Sequence, residues 1–270
     1  MLRLLERNIA SIERRLVLLA PATAATDQFT NLRVDPARHR TLVREMQGLR
    51  GSIYLEDGAI QRHQLTADGL HRTAEDDRSW HLLMLNRDQR VSSCVWYLEH
   101  DQPQSVDQLR VRTCPLSKDE STREHFHAAV ENELSRAREG GLRYAEVGGW
   151  AVSKHSRCSS EGLLLALAAY SLGRVFGGSL GLTTATVRHS SSTILRRLGG
   201  SHLENDGMRV KPYFDTKYRC EMELLRFDSR QPNPKYVALI ERLRERLVNV
   251  AVISDADAMA QCGTEPMFAA

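Results

Sequence analysis

Residues 142–200 read LRYAEVGGWAVSKHSRCSSEGLLLALAAYSLGRVFGGSLGLTTATVRHSSSTILRRLGG, and this stretch decides the fold. Its apolar periodicity predicts a strand over Tyr144–Val152, an apolar helix over Glu161–Phe176, a second strand over Ser179–Ala185 and a second helix over Ser190–Leu198. A strand–helix–strand–helix unit of this kind indicates a mixed α/β protein.

The turn between the first strand and the first helix contains the pattern Arg157-x-x-Ser160-x-Gly162. Small residues just before a helix leave its first backbone N–H groups free, and such groups bind phosphate well. The sequence therefore favours an anion site at this turn. The alternative is an ordinary crossover in which the small residues only permit close packing.

On these residues the stretch resembles the GNAT superfamily of acyltransferases, whose donor loop reads Arg/Gln-x-x-Gly-x-Gly/Ala after an apolar strand. The strand Glu146-Val-Gly-Gly-Trp150-Ala-Val152 is similar to the Glu-x-Ser-Arg-Phe-x-Val strand of acyl-homoserine-lactone synthases and N-acyl amino acid synthases. Two positions depart from the pattern: Ser160 replaces a glycine, and Gly149 stands where the autoinducer synthases keep an arginine. The resemblance implies a mostly antiparallel central sheet flanked by helices.

Segments upstream resemble the acceptor side of the same synthases. Residues 49–58 contain a Leu-Arg-x-x-x-Tyr-x-x-x-Gly pattern that places Tyr54 there. An acidic pair, Asp76 and Asp77, precedes a predicted hairpin, and Trp96 of that hairpin replaces an arginine of the families. The resemblance implies that these residues contact the acceptor. A solvated turn or a helix cap is the alternative for the two aspartates.

The resemblance also implies roles in acyl transfer, which needs donor placement, a base, oxyanion stabilisation and an acid for the leaving thiol. Glu146 is the implied base, with a buried carboxylate paired to an arginine as the alternative. His189 and Tyr54 are the candidates for the acid. In the strands of this superfamily a β-bulge separates the central pair, and Gly148-Gly149 could form it. The donor-binding candidates are Trp150, Ala151 and Val152, through their backbone N–H groups, with Arg157, Ser160 and Gly162 of the loop.

The expected activity is therefore N-acyl transfer from acyl-CoA or an acyl carrier protein thioester to a small amine such as an amino acid. Aromatic residues on the strands favour a medium or long acyl chain, since each buried methylene contributes about 0.8 kcal/mol. The alternative is a degenerate GNAT-fold protein that binds an acyl carrier or a partner without catalysis. The aromatic residues are Trp80, Trp96, Tyr97 and Trp150, and the arginines available to an acidic carrier are Arg157, Arg188, Arg196 and Arg197.

Composition excludes several other classes. With 37 basic and 34 acidic residues among 270, the net charge is +3, which argues against a bulk nucleic-acid binder. Five widely spaced cysteines argue against a disulfide framework and a cysteine zinc site, and the pair His125-x-His127 lacks further ligands, so no metal is expected. No apolar run approaches the roughly 20 residues that span a bilayer, and a cytoplasmic protein is expected.

The ends of the chain are predicted as additions to a central domain at residues 36–230. At the N-terminal end, residues 1–35 comprise an amphipathic helix over residues 2–19 and a connector; at the C-terminal end, residues 231–270 comprise a helix and a mobile tail from Ala256. The apolar stripe of the first helix has two interpretations, packing on the chain's own core or a seam with a partner helix in a homodimer. A short strand is expected over Leu109–Thr113.

Overall fold

Strand, helix, strand and helix follow one another along residues 142–200 as the periodicity predicts. The computed structural model describes residues 2–100, 103, 105–157 and 159–255, with the backbone alone at residues 2 and 189. Among the described helices, none combines the length and the apolar character needed to cross a bilayer. The elements are α1 (Leu2–Ala10), β1 (Leu16–Leu19), β2 (Leu32–Val34), α2 (Pro36–Glu56), β3 (Trp80–Leu85), β4 (Val91–His100), α3 (Pro115–Lys118), α4 (Glu120–Glu139), β5 (Arg143–Val152), α5 (Glu161–Val175), β6 (Ser179–Thr186), α6 (Ser191–Leu198), β7 (Ser201–His202), β8 (Glu204–Asn205), β9 (Met208–Arg209), β10 (Tyr213–Asp215), β11 (Cys220–Asp228), α7 (Val237–Leu247) and β12 (Ala251–Ser254).

Within the described residues, ten strands form one mixed sheet. Nine of them follow the order β10–β11–β6–β5–β4–β3–β1–β12–β2, and β7 pairs with β11 beside this path. The helical crossover through α5 makes β5 and β6 parallel, and β12 is parallel to both of its neighbours. The other pairs are antiparallel, so the predicted mostly antiparallel sheet is confirmed.

Helices cover both faces of this sheet because its strands are apolar on both sides. Leu18 and Leu82 belong to a core shared with α1, α5 and α7. Leu83 and Cys94 belong to a second core with α2, and Tyr144 belongs to a third core with α4. Adjacent residues such as Leu82 and Leu83 enter different cores, as the two-residue period of a strand requires.

The N-terminal helix is shorter than predicted. Helix α1 ends at Ala10, and Leu16–Leu19 form β1, which is antiparallel to β3 and parallel to β12. The prediction of one helix over residues 2–19 is wrong because all four residues of β1 are buried. A continuous apolar run is typical of a strand covered on both faces, and the three-residue spacing of Leu16 and Leu19 only imitates a helical stripe.

The apolar stripe of α1 packs inside the chain. Leu5, Ile9 and Ile12 are at most 1% exposed and belong to the core that α5 and α7 cover. Of the two interpretations of this stripe, packing on the chain's own core is therefore the one observed. These side chains are not available as a seam for a second copy.

The segment predicted as a strand over Leu109–Thr113 is a 3-10 turn over Arg110–Thr113. The prediction is wrong because the backbone N–H groups of Arg110 and Val111 donate to the Glu146 carboxylate, at 2.6 and 2.7 Å, and not to a neighbouring strand. The turn is thereby fixed against β5.

The C-terminal segment joins the sheet as well. Strand β12 lies between β1 and β2, and it follows a helix that the sequence predicted correctly. The stretches 1–35 and 231–270 therefore supply three strands of the central sheet. The tail predicted from Ala256 lies outside the described residues.

The position of β12 can be tested with one substitution at two sites. Val252 in β12 is 0% exposed, whereas Val34 in the neighbouring β2 is 48% exposed. We expect Val252→Asp to lower the free energy of unfolding by about 3 kcal/mol or more, because it buries an unpaired carboxylate. Val34→Asp should change it by less than about 0.5 kcal/mol. Urea denaturation followed by circular dichroism measures both, and equal losses would contradict the interior position of β12.

Candidate functional site

Strands β5 and β6 separate halfway along their length. Their pairing runs from Arg143 opposite Ser179 to Val147 opposite Thr183, where the Thr183 hydroxyl donates to the Val147 carbonyl at 2.7 Å. Beyond this point, residues 148–152 of β5 have no pairing with β6. A backbone edge open to a ligand therefore begins at Gly148.

The separation coincides with a β-bulge on the other edge of β5. The register with β4 shifts between Cys94, which faces Ala151, and Trp96, which faces Gly148. Gly149 has a φ of 66°, a conformation that glycine adopts without strain. The bulge predicted at Gly148-Gly149 is thereby confirmed.

The indole of Trp96 explains why both residues of the bulge are glycines. A Cβ at Gly148 would lie 2.4 Å from Trp96 Cζ2, and a Cβ at Gly149 would lie 2.2 Å from Trp96 Cδ1. No side chain fits at either position while the indole stays in place. Trp96 and Gly149, the two positions that depart from the resemblance, therefore lie against each other.

A buried ion pair lies behind the indole. Arg50 donates through Nη2 to Asp76 at 2.7 Å, and both side chains are at most 2% exposed. The Asp76 carboxylate also accepts from Gln47 at 3.0 Å and from the Thr73 backbone N–H at 3.1 Å. Burial acts to raise the pKa of Asp76, but the hydrogen bond and the positive charge of Arg50, with the hydrogen bond from the Thr73 backbone, together outweigh it and hold the pKa below its usual value. The carboxylate is thus a fixed anion.

His71 completes this network as a neutral group. Its Nδ1 accepts from Arg50 Nε at 3.1 Å. Burial, followed by the adjacent Arg50 charge, lowers the pKa of His71 to about 4. The Nη1 atom of Arg50 is buried without a hydrogen-bond partner and lies on the side of Gly149. Arg50 is therefore a further site residue, which the sequence indicated only as the arginine of the pattern at residues 49–58.

The two predicted aspartates have different environments. Asp76 lies in the buried network, whereas Asp77 is exposed and lies outside it. Tyr54 reaches the opening, since its hydroxyl donates to the Trp150 carbonyl at 3.4 Å. Burial, with Tyr218 nearby, raises the pKa of Tyr54 well above its usual value, so the hydroxyl stays protonated.

Glu146 is buried and holds three hydrogen bonds. Its Oε2 accepts from the Arg110 backbone N–H at 2.6 Å and from His100 Nε2 at 2.8 Å, and its Oε1 accepts from the Val111 backbone N–H at 2.7 Å. The alternative of an ion pair with an arginine is not what is observed, because the partners are backbone groups and a histidine. His100 is a site residue that the sequence did not indicate.

The turn held by Glu146 brings a cation to the sheet. The Arg110 guanidinium lies over the Trp96 ring at 5.4 Å from its centroid, and its Nε faces Glu75 Oε1 at 3.3 Å. No spacing in the sequence pairs residue 110 with residue 96. Only the turn and the β4–β5 register bring them together.

The start of α5 follows directly from β5, as the donor-loop pattern predicts. Arg157 donates to both carboxylate oxygens of Asp57, at 2.9 and 3.0 Å. Ser160 Oγ accepts from the Asn8 amide at 2.7 Å, which joins the loop to α1. A Cβ at Gly162 would lie 3.3 Å from Trp150 Cζ2, so this glycine lets the indole lie on the first turn of α5.

Glu161 places a buried negative charge at the same helix terminus. Its carboxylate accepts from Ser92 Oγ at 2.6 Å and from Ser93 Oγ at 3.1 Å, and it forms an ion pair with Arg15. A carboxylate in the first turn interacts favourably with the helix dipole. The acidic side chain therefore stabilises the loop and is directed towards β4.

A cavity of about 70 Å³ lies between β5, β6, α5 and α6. Of the four aromatic residues expected at the opening, Tyr97 and Trp150 line it, Trp80 packs on Phe29 and Phe176, and Trp96 lies on the bulge. The side chain of His189 lies outside the described residues. The other lining residues include Val147, Leu195, Leu198 and Phe227, so the wall is mainly apolar.

No group of three or more potential metal ligands occurs in the described part of the chain. No protein-family model matches the sequence, and no curated protein matches it significantly.

Solved structures, in contrast, match nearly the whole chain. A CoA-dependent acyl-homoserine lactone synthase, BjaI, solved with MTA, covers 92% of this chain and 97% of its own, with a TM-score of 0.54 and 14% identity. BjaI with SAM and isopentyl-CoA gives the same coverage, with a TM-score of 0.51 and 16% identity. The chain has this GNAT-like acyltransferase fold. FeeM, an N-acyl amino acid synthase from uncultured soil microbes, aligns less closely, with a TM-score of 0.45 and 13% identity over 73% of this chain and 88% of its own.

The dependence of the bulge on Trp96 predicts a coupling between two substitutions. We expect Gly148→Ala to lower the free energy of unfolding by ~2–3 kcal/mol, because its Cβ would overlap the indole. In a Trp96→Leu background the same change should cost at least ~1 kcal/mol less. Chemical denaturation of the four proteins of this cycle gives the coupling energy.

Gly48→Ala in α2 is the control, since a Cβ at Gly48 would meet only the Leu70 side chain, at 3.7 Å, which is an ordinary van der Waals distance. It should be neutral or stabilising by up to ~1 kcal/mol. A coupling energy of zero between positions 96 and 148 would contradict the interpretation of the glycine pair.

Proposed function

We propose that this protein is an N-acyltransferase that moves an acyl group from a thioester to a small amine. The observation that carries the proposal is the separation of β5 from β6 after Val147 and Thr183. An apolar cavity lies on one side of this opening, and Trp96 with Arg110 lies on the other. A thioester in the opening would thus be accessible to an amine from the opposite side of the sheet.

The donor is proposed to be acyl-CoA or an acyl carrier protein. The amides of its pantetheine arm would pair with the open edge at residues 148–152, and its phosphate would meet the start of α5 and Arg157. The fold supports this arrangement, since BjaI, which has a similar fold, is a CoA-dependent synthase. For a carrier protein, Arg188, which donates to the Asp57 carbonyl at 2.9 Å, and the exposed Arg197 would add positive charge nearby.

The acyl group is proposed to be short. The cavity of about 70 Å³ is less than half the volume of an engineered apolar cavity of roughly 150 Å³ that binds benzene. The medium or long chain that the aromatic residues favour stays the alternative, and Trp150 and Leu195 of the cavity wall are the side chains that it would meet. Isopentyl-CoA, which the second BjaI structure contains, is a donor of the proposed size.

In the proposed reaction the amine nitrogen attacks the thioester carbonyl, and the C–S bond breaks when the tetrahedral intermediate collapses. Backbone N–H groups of residues 150–152 would stabilise the oxyanion. Glu146 would take the ammonium proton through a water, using Oε1, which accepts one hydrogen bond where Oε2 accepts two. Tyr54, whose hydroxyl stays protonated, would donate a hydrogen bond to the leaving thiolate, and the thiolate takes the proton that the attacking nitrogen loses as the C–S bond breaks.

Two observations favour a second candidate, a GNAT-fold protein that binds an acylated carrier without catalysis. Glu146 holds a turn through three hydrogen bonds, and Arg157 is occupied by Asp57. In that case both groups would serve the fold alone.

A donor panel separates the two candidates. Acetyl, isovaleryl, octanoyl and palmitoyl thioesters of CoA and of carrier protein are incubated with a mixture of the twenty amino acids, and N-acyl products are measured by mass spectrometry. We expect the highest kcat/KM with isovaleryl, because the cavity limits chain length. A preference for octanoyl or palmitoyl would contradict the short-chain proposal, and an absence of all products would favour the binding protein.

The ion pair at the loop predicts opposite effects of two substitutions. Arg157→Gln should weaken CoA binding about tenfold, because it removes a charged phosphate donor. Asp57→Asn should strengthen binding or leave it unchanged, because it releases Arg157 from its partner. Isothermal titration calorimetry with CoA measures both.

Arg62→Gln is the control, since Arg62 is an exposed arginine outside the loop. Weaker binding in the Asp57 variant, or equal affinities in all three, would remove Arg157 from the proposed donor site. These substitutions are cleaner than one at Gly162, where any side chain meets Trp150.

A further inference from the structure

We propose that Arg110 binds a carboxylate of the acceptor, so that the acceptor is an amino acid or another amine that carries a carboxylate. This inference rests on the proposed acyl transfer. It adds a residue that selects the acceptor and that no resemblance assigns.

The backbone of Arg110 is fixed independently of its side chain. Its N–H donates to Glu146 Oε2 at 2.6 Å, and the next N–H, of Val111, donates to Oε1 at 2.7 Å. Val111 itself is 2% exposed and anchors the turn in the α4 core. The guanidinium therefore extends from a rigid base, and its loss should leave the turn in place.

The Arg110 guanidinium is held in one orientation, but its hydrogen-bond donors are not all used. The ring of Trp96 lies beneath it at 5.4 Å, and Glu75 faces Nε at 3.3 Å, beyond the usual length of a charged hydrogen bond. The side chain is 20% exposed. In the described part of the chain, no hydrogen bond to the Nη groups occurs within 3.5 Å. Two parallel N–H donors on an aromatic platform suit a carboxylate.

Two other charged groups of the site, Arg50 and Glu146, have partners of their own. Arg50 is paired with Asp76 at 2.7 Å behind the indole. Glu146 lies next to Arg110, with one oxygen holding a single hydrogen bond. A cation beside an anion complements an amino acid zwitterion, whose carboxylate would meet Arg110 while its ammonium group faces Glu146.

The loss of the families' two arginines makes this assignment specific to this chain. Trp96 and Gly149 occupy the positions where the resemblance places arginines. The cation at this site instead comes from the turn at residues 110–113, on top of the replacing indole. The acceptor is thus bound by a residue from a different segment.

The test compares each preferred amino acid with its carboxamide, which keeps the amine and removes the negative charge. The best thioester from the donor panel is used at saturation, and kcat/KM is measured for both acceptors. We expect the wild type to prefer the amino acid. Arg110→Gln should lower kcat/KM for the amino acid about 10- to 100-fold and change that for the carboxamide less than threefold.

Two further variants separate binding from folding. Arg112→Gln removes an exposed arginine two residues along the same turn and should behave as the wild type. Arg110→Lys keeps the charge and should restore part of the preference. Thermal unfolding by circular dichroism should be unchanged in all three. An equal loss with both acceptors in Arg110→Gln, or a wild type without preference, would overturn the assignment.

Calorimetry keeps the assignment testable when no product forms. The same amino acids and carboxamides are titrated into the wild type and into Arg110→Gln in the presence of CoA. Amino acid binding that requires Arg110, without any transfer, would uphold the carboxylate site and reject the proposed reaction. Absence of Arg110-dependent binding would reject the carboxylate site.

Discussion

The contact between the Trp96 indole and the glycine pair at 148–149 is the constraint that fixes the residues of the bulge beside the opening. The ring lies so close to the backbone that any Cβ at either glycine would overlap it. With the ring in place, β5 carries a bulge toward β4 and stops pairing with β6 after Val147. A bulge bends its strand and increases the local twist. The bulge, the start of the open edge of β5 and the ring beneath Arg110 therefore all lie at this contact.

Charged side chains around the opening are held in place by ion pairs. Arg50 with Asp76 is a buried pair on one side of the sheet, whereas on the other side the buried Glu161 pairs with Arg15, whose side chain is 41% exposed. A buried pair contributes little net stability, but loss of one partner leaves an uncompensated charge and costs about 3–5 kcal/mol. Such pairs hold the walls of the opening in one arrangement. Arg110, with its long contact to Glu75, is the exception.

The terminal segments complete the site although they lie far from it in sequence. Arg15 immediately precedes β1 and holds Glu161 at the start of α5, while Asn8 of α1 donates to Ser160 of the loop. Strand β12 pairs with β1 and so secures the segment that carries Arg15. The donor loop therefore relies on both ends of the chain.

The sequence by itself determined the structural features that depend only on residues close to one another in the chain. The periodicity of residues 142–200 specified the crossover unit, and the glycine pair indicated a bulge, because helical and strand periods and glycine conformations are local properties. Local pattern could not distinguish Leu16–Leu19 from a helical turn, since burial on both faces depends on partners more than 60 residues away. Only the tertiary structure decided that Trp96 requires Gly148 and Gly149, that Glu146 binds the 110–113 turn, and that Arg110 lies over the indole. These contacts join separate segments, and side-chain packing across a sheet leaves no periodic signal in the sequence.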